Sequence, residues 1–245
     1  MKTYLFIFLL IGFSSQAQIS GEIEYKIRMV FNPIDSLERV QEDPPVEGFK
    51  VFKRKLKESK KLLPQLKYRL KFNENEALFY LEDLMANDQD QSLLEYALIL
   101  SDSKESYYTT KKDNEFYTYK QSELGGEYFL VHNSPFQWEL SGETKEIAGY
   151  VCRKATTKYK RNSEVELEVT AWYAPELAFQ YGIKDFSGLP GIVLGLEEHG
   201  YYFYADKIAL TKKDKKIKVP KGKIIKKDEF NLKMETYYNQ FYERE

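Results

Sequence analysis

Asp185–Glu197, DFSGLPGIVLGLE, joins a tight turn to an apolar strand pattern. Pro190 fixes its own φ near −65°, and Gly191 can adopt the positive φ that the third position of a type II turn requires. We therefore predict a type II turn over Leu189–Ile192. Ile192–Glu197 follows as a strand whose first half is apolar on both faces, which is typical of a strand inside a sheet. The stretch holds no nucleophile, so we interpret it as a structural turn, with a rigid lip beside a binding groove as the alternative.

Alternating apolar and polar residues continue through much of the chain, and turn residues such as Asn73–Asn75 separate the runs. The predicted strands are 19–31, 66–72, 77–81, 106–110, 115–120, 127–132, 150–159, 164–173 and 201–210. Aromatic residues make up 16% of the sequence, which suits twisted sheets with ring-bearing faces. We predict a mainly β protein, built as a curved antiparallel sheet or half-barrel meander with helices packed on it. No linker composition divides residues 18–245, so we expect one domain.

Three segments have helical features. Phe49, Phe52 and Leu56 have the spacing of an amphipathic helix, which Pro64 must end. Asp228 can cap a second helix over 228–243. Residues 85–103 fit a helix, a strand or a lid equally well, and the pattern alone does not choose among them.

The segment 211–227 contains nine lysines. We interpret it as a solvated hairpin or sheet edge, because lysines protect an edge from pairing with other sheets. The alternative is contact with an anionic surface, made through Lys212, Lys213, Lys215 and Lys216.

The first residues have the features of an export signal. Lys2 precedes the apolar run 4–13, and Ser15 and Ala17 are small residues at the positions that signal peptidase reads. We predict a signal peptide over 1–17 and a mature chain that starts at Gln18. Cys152 is the only cysteine, so the chain has no lipobox and can form no internal disulfide. We expect a periplasmic or secreted protein that is not a lipoprotein and has no transmembrane segment in its mature chain.

The residues that carry catalysis in other proteins are few in this chain. His132, His199 and Cys152 have no metal-ligand spacing, so we predict no metal or other cofactor, and we expect Cys152 to be a buried thiol. Ser101–Lys104 matches S-x-x-K, but the companion motifs of that enzyme class are missing. The formal charge of −1 does not favour nucleic acid. We therefore predict a protein that is not an enzyme.

The turn and the block before it resemble the GLPGLI family of exported proteins, which has no assigned function. The block Trp138–Thr156 reads WELSGETKEIAGYVCRKAT, and Trp172-Tyr173 matches the next landmark of the family. The residues that correspond to the family hexapeptide are Gly188, Leu189, Pro190, Gly191, Ile192 and Val193. Gly182-Ile183 stands where many members have Gly-Pro, so a second proline-fixed bend is absent. The resemblance implies a fold and a compartment rather than an activity.

The predicted layout looks like the half-barrel of periplasmic lipoprotein carriers of the LolA type, which is an analogy of fold alone. The leading hypothesis is a non-catalytic carrier or binding protein for an apolar ligand, either a lipid or a hydrophobic peptide. Trp138, Trp172 and Tyr173 would line its groove, unless these rings belong to the core. The alternative hypothesis is a structural partner of an envelope protein in an outer-membrane assembly, and an enzyme is the third.

Overall fold

The computed structural model of the protein describes residues 20–30, 47–83, 88–101, 104–113, 115–160 and 166–242. The predicted signal peptide over 1–17 and its cleavage site before Gln18 lie outside these residues. Among the helices in the described part of the chain, none combines the length and the apolar composition that a membrane span needs.

Within the described residues, twelve strands form one curved sheet that does not close on itself. In chain order they are β1 (Ser20–Met29), β2 (Lys67–Phe72), β3 (Glu76–Leu81), β4 (Tyr107–Lys112), β5 (Glu115–Leu124), β6 (Glu127–Asn133), β7 (Glu139–Ile147), β8 (Tyr150–Lys160), β9 (Glu166–Ala174), β10 (Ile192–Glu198), β11 (Tyr201–Thr211) and β12 (Lys223–Lys226). Their order across the sheet is β12-β6-β5-β4-β3-β2-β1-β11-β10-β9-β8-β7. The predicted mainly β class and half-barrel-like meander are confirmed.

β1 joins the two halves of the sheet, because it pairs with β2 on one side and with β11 on the other. Its apolar alternation places Ile23, Tyr25 and Ile27 in the core, where each is at most 1% exposed. The ring of Tyr68 on β2 stacks on Phe79 with 5.6 Å between the centroids, and it meets Phe203 of β11 edge-on at 5.3 Å. The centre of the core therefore consists of rings from neighbouring strands.

Two of the three helices in the described part of the chain were predicted, and the third lies in the segment that the pattern left open. Asp228, the predicted cap of the last helix, lies in its first turn instead. α1 (Glu47–Ser59) ends before a 3-10 turn at Leu63–Gln65 that contains Pro64. α2 (Asp88–Ser101) resolves the open segment as a helix, and it adds Ala97 and Leu98 to the core. α3 (Lys227–Tyr242) packs Phe230 and Met234 against the β6 residues Phe129 and Val131, as expected for a helix lying on the sheet.

Two strands were not assigned from the sequence, and both lie at an edge of the sheet. β7 pairs with β8 alone, and its register is interrupted between Leu140 and Thr144, which hides the alternation expected of a strand. β12 lies in the lysine-rich segment and pairs in parallel with β6. The prediction of a sheet edge is therefore correct for 223–226. Lys223 and Lys226 of this strand are exposed and do not belong to the core.

Candidate functional site

The GLPGIV turn leads into β10, and it alternates exposed and buried residues: Gly188 and Pro190 are exposed, whereas Leu189 and 191–193 are buried. Gly191 N–H donates to the Leu189 carbonyl at 2.8 Å, so Pro190 is the centre of a three-residue γ-turn and not of the predicted type II turn. The Ile192 N–H donates instead to Leu177, at 3.0 Å. The predicted positive φ of Gly191 is confirmed at 153°.

The residues before this turn form a second tight turn. Phe186 N–H donates to the Ile183 carbonyl at 3.1 Å, and Lys184 has a φ of 57°, a value that costs energy for a residue with a side chain. Strained backbone of this kind often accompanies function. The turn places Lys184 and Asp185 next to each other at the end of a pocket.

The pocket has a volume of about 870 Å³ and lies between α3, strands β3 to β6 and the loop over 184–186. This volume is typical of a small-molecule site. Its walls combine aromatic and charged residues, with Phe136, Phe186 and Phe230 among the first and Lys120, Asp185 and Glu198 among the second.

The deepest polar group is an ion pair. Lys184 Nζ lies 2.7 Å from Glu198 Oε2, and both side chains are 4% exposed. The ammonium also donates to the Ser101 carbonyl at the end of α2, at 3.3 Å. A buried pair needs such additional partners, because its desolvation otherwise exceeds the attraction between the charges.

The second oxygen of Glu198 extends the network to β8. It accepts a 2.7 Å hydrogen bond from the Tyr159 hydroxyl, and His199 Nε2 lies 2.8 Å from the same hydroxyl. A phenol has one proton, and here it goes to Glu198, so the contact with His199 requires a protonated Nε2 that donates to Tyr159. His199 has a positive φ of 51°, which makes it the second strained residue at this site.

Asp185 differs from Glu198 because it has no salt bridge within the described part of the chain. Burial, and secondarily the charge of Glu198, raise the pKa of Asp185 to about 6, although Lys184 and Lys227 act in the opposite direction. Asp185 therefore changes charge close to neutral pH.

Aromatic rings form the wall beside these charges. Phe136 and Phe186 stack with 4.6 Å between their centroids, and Tyr159 meets Phe186 edge-on at 5.7 Å. The wall of the pocket thus combines aromatic rings with ionised groups.

Of the predicted groove aromatics, none lines the pocket directly. Trp138 packs behind Phe186, and its Nε1 donates to the Ser187 carbonyl at 2.9 Å, so it supports the loop. Tyr173 is a core residue at 2% exposure. Trp172 lies under the ammonium of Lys145, which is 4.2 Å from its ring centroid.

The other residues singled out from the sequence lie apart. His132 on β6 contacts Tyr117 and Tyr119, whereas His199 is at the pocket network. Cys152 is a free thiol with no exposed surface, as predicted, and burial raises its pKa to about 11. Among the described residues, no three potential metal ligands come together.

The remaining predicted surfaces can also be placed. The four lysines of the proposed anionic contact lie in the loop that follows β11, where Lys215 forms a 3.5 Å salt bridge to Glu22. In the S-x-x-K match, Ser101 donates to the Ala97 carbonyl within α2, and residues 102–103 lie outside the described residues.

Comparison with known proteins finds a family of unknown function that matches part of the chain. Residues 138–195 match a family described as "Protein of unknown function (Porph_ging)", and the match includes the GLPGIV turn, Tyr159, Lys184 and Asp185. The resemblance to the GLPGLI family stays a prediction. No curated protein matches the chain.

Solved structures show similarity of fold alone. The structure of PNGF-II has a TM-score of 0.51 to this chain at 14% identity, covering 89% of this chain and 33% of the other. A second crystal form of PNGF-II has a TM-score of 0.48 at 16% identity, covering 88% and 32%. The chain thus spans about a third of the length of PNGF-II.

Analysis of the sequence missed Lys184, Glu198 and Tyr159 as site residues. The available signal was the Lys184-Asp185 pair, which interrupts an otherwise apolar segment just before the turn. Neither residue has a recognisable motif, so the interpretation of the stretch rested on its proline and glycines.

Proposed function

We propose that this protein is an exported, non-catalytic binding or carrier protein whose ligand is mainly apolar and also bears a polar group. The observation that supports it is the pocket of about 870 Å³ under α3, whose aromatic wall adjoins buried charges. A lipid or a hydrophobic peptide has this combination, because each pairs an apolar body with a polar end. The location in the periplasm or outside the cell is part of the proposal and rests on residues 1–17.

A role without catalysis is favoured by how the charged groups are used. Lys184 is held by Glu198 and by the Ser101 carbonyl, and Glu198 is in turn held by Tyr159. These groups stabilise one another, which suits a rigid binding wall better than proton transfer to a substrate.

The test is displacement of a fluorescent apolar probe, combined with native mass spectrometry of protein purified from its own envelope. Asn231 and Lys233 are both exposed on α3, but only Asn231 lines the pocket. Asn231→Trp should therefore weaken probe binding about tenfold or more, which corresponds to roughly 1.4 kcal/mol, and Lys233→Trp should not. Absence of probe binding to the parent, or equal losses in both variants, would contradict the proposal.

A partner protein in an envelope assembly is the second candidate, and the two sheet edges favour it. Leu140 on β7 is 59% exposed and Ile224 on β12 is 70% exposed, so each edge presents an apolar side chain beside unpaired backbone groups. Co-purification of a protein that is lost in Leu140→Lys or Ile224→Lys would support this function over the carrier.

A further inference from the structure

The end of the pocket around Asp185 holds an ion pair whose charges cancel, together with a carboxylate that forms no salt bridge within the described part of the chain. We propose that it binds a primary ammonium group attached to an apolar body, with the Asp185 carboxylate as the counter-ion; this inference rests on the proposed binding function.

The balance of charge around Asp185 favours a cation. The charge of Lys184 is cancelled by Glu198 at 2.7 Å, and both are almost fully buried. Ionised Asp185 therefore leaves this corner with one net negative charge. A half-buried carboxylate without an ion-pair partner is unfavourable, and a bound ammonium would supply the missing positive charge.

Other charged groups face Asp185 and must be considered. Glu198 adds negative potential, whereas Lys184 and Lys227 add positive potential. Lys227 is exposed at the start of α3, where water screens its charge, and Lys184 is already paired. The hydroxyl of Tyr159 on β8 donates to Glu198 and contacts His199 Nε2, and another lysine of the pocket lining, Lys120, is paired with Glu105 at 3.2 Å. In this corner, the carboxylates of the half-buried Asp185 and the buried Glu198 consequently outweigh the one buried ammonium, that of Lys184.

The geometry also suits the rest of such a ligand. The stacked rings of Phe136 and Phe186 lie beside the charged corner, and Phe230 and Met234 of α3 line the pocket as well. An alkyl chain or apolar side chain could cover these surfaces while the ammonium donates hydrogen bonds to Asp185. Two sources share this chemistry, namely an amino lipid and the free N-terminus of a hydrophobic peptide.

The experiment compares probes that differ only in their polar end. Dodecylamine, dodecanol and dodecanoate are titrated against the full chain below their aggregation limits, by displacement of a fluorescent apolar probe at pH 7.5. Dodecylamine should bind about tenfold tighter than dodecanol, a difference of roughly 1.4 kcal/mol. Asp185→Asn should remove this preference while dodecanol binding remains, and the exposed Asp214→Asn should preserve it.

The pH dependence separates Asp185 from His199. Dodecylamine remains protonated throughout, so its preference should fall as the pH drops from 7.5 to 5 and Asp185 takes up a proton. Asp185→Asn should abolish this dependence. Persistence of the dependence in Asp185→Asn would assign it to another group, such as His199, and would overturn the inference.

Peptide probes then distinguish the two sources of an ammonium. A short hydrophobic peptide with a free N-terminus, binding more tightly than its acetylated form, would identify a peptide ligand, whereas dodecylamine binding alone would favour an amino lipid. Equal binding of dodecylamine and dodecanol, or tightest binding of dodecanoate, overturns the ammonium site but leaves the proposed binding function intact. Failure of every probe to bind overturns both.

Discussion

Replacing Gly191 with alanine tests whether the GLPGIV turn is primarily structural. An added Cβ would clash with the Ala174 carbonyl oxygen, and it would lie 2.6 Å from the Ala174 carbonyl carbon and 2.9 Å from Pro175 N. These are backbone atoms at the end of β9, so they cannot move away as a flexible side chain would. The φ of 153° adds a conformational penalty.

Substitution of Gly188 measures the backbone penalty without the steric clash. This glycine also has a positive φ, 89°, but a Cβ there would meet no atom within 4 Å. Gly188→Ala should therefore cost only the backbone penalty, about 1–2 kcal/mol. Gly191→Ala should add an overpacking cost of about 1–3 kcal/mol, which brings its total to about 2–5 kcal/mol. Pro190→Ala mainly loosens the unfolded chain and should cost about 1 kcal/mol or less.

The assay is urea unfolding of the parent and the three variants. If the dependence of the unfolding free energy on urea concentration is the same for all four proteins, their midpoints report stability directly. The expected order of destabilisation is Gly191→Ala, then Gly188→Ala, then Pro190→Ala. A midpoint for Gly191→Ala equal to that of Gly188→Ala would refute the reasoning from the Ala174 contact. Gly191→Val places a branched side chain at the same φ and should destabilise the protein at least as much as Gly191→Ala. If Gly191→Val were as stable as the parent but no longer bound ligand, the turn itself would be the binding element.

Four further predictions follow from the structure and the sequence. Lys184→Met should destabilise the protein by about 3–5 kcal/mol because it leaves the buried Glu198 carboxylate without its ion-pair partner. In a double-mutant cycle, adding Glu198→Leu should restore part of that stability. If the losses of the two single variants simply added, the two residues would not be a coupled pair. Because the pKa of Asp185 is raised to about 6 in the folded state, its contribution is most favourable at low pH and is lost as the pH rises through 6. Asp185→Asn should thus unfold like the parent near pH 4 but be about 1–3 kcal/mol more stable above pH 7, and an unchanged difference across this range would argue against the shift. Cys152 should react slowly with a bulky maleimide in the native protein and rapidly in urea, so fast native labelling would disprove its burial. The intact mass of the exported protein should correspond to a chain that starts at Gln18, and a form that retains residues 1–17 would exclude cleavage there.

Local sequence patterns were sufficient for most of the sheet because alternation and turn residues act over short distances. β1, β10 and β11 were recognisable from their own residues, and so was the first helix, which ends near Pro64. α2 was ambiguous because its apolar residues fit both periods, and only packing of Ala97 and Leu98 in the core selects the helix. β7 and β12 were missed since an edge strand has a partner on one side only and need not alternate cleanly.

By itself, the sequence determined the mainly β class, the turn at Pro190-Gly191 and the burial of Cys152. Only the tertiary structure decided the site, because its residues come from distant parts of the chain: Lys184 and Glu198 are 14 positions apart, and Tyr159 and Glu198 are 39 apart. The register of the strands brings these groups together beside the loop over 184–186. A lysine or a tyrosine in an alternating strand looks the same in the sequence whether it faces water or a buried carboxylate, and the physical difference arises only when folding removes the water around it.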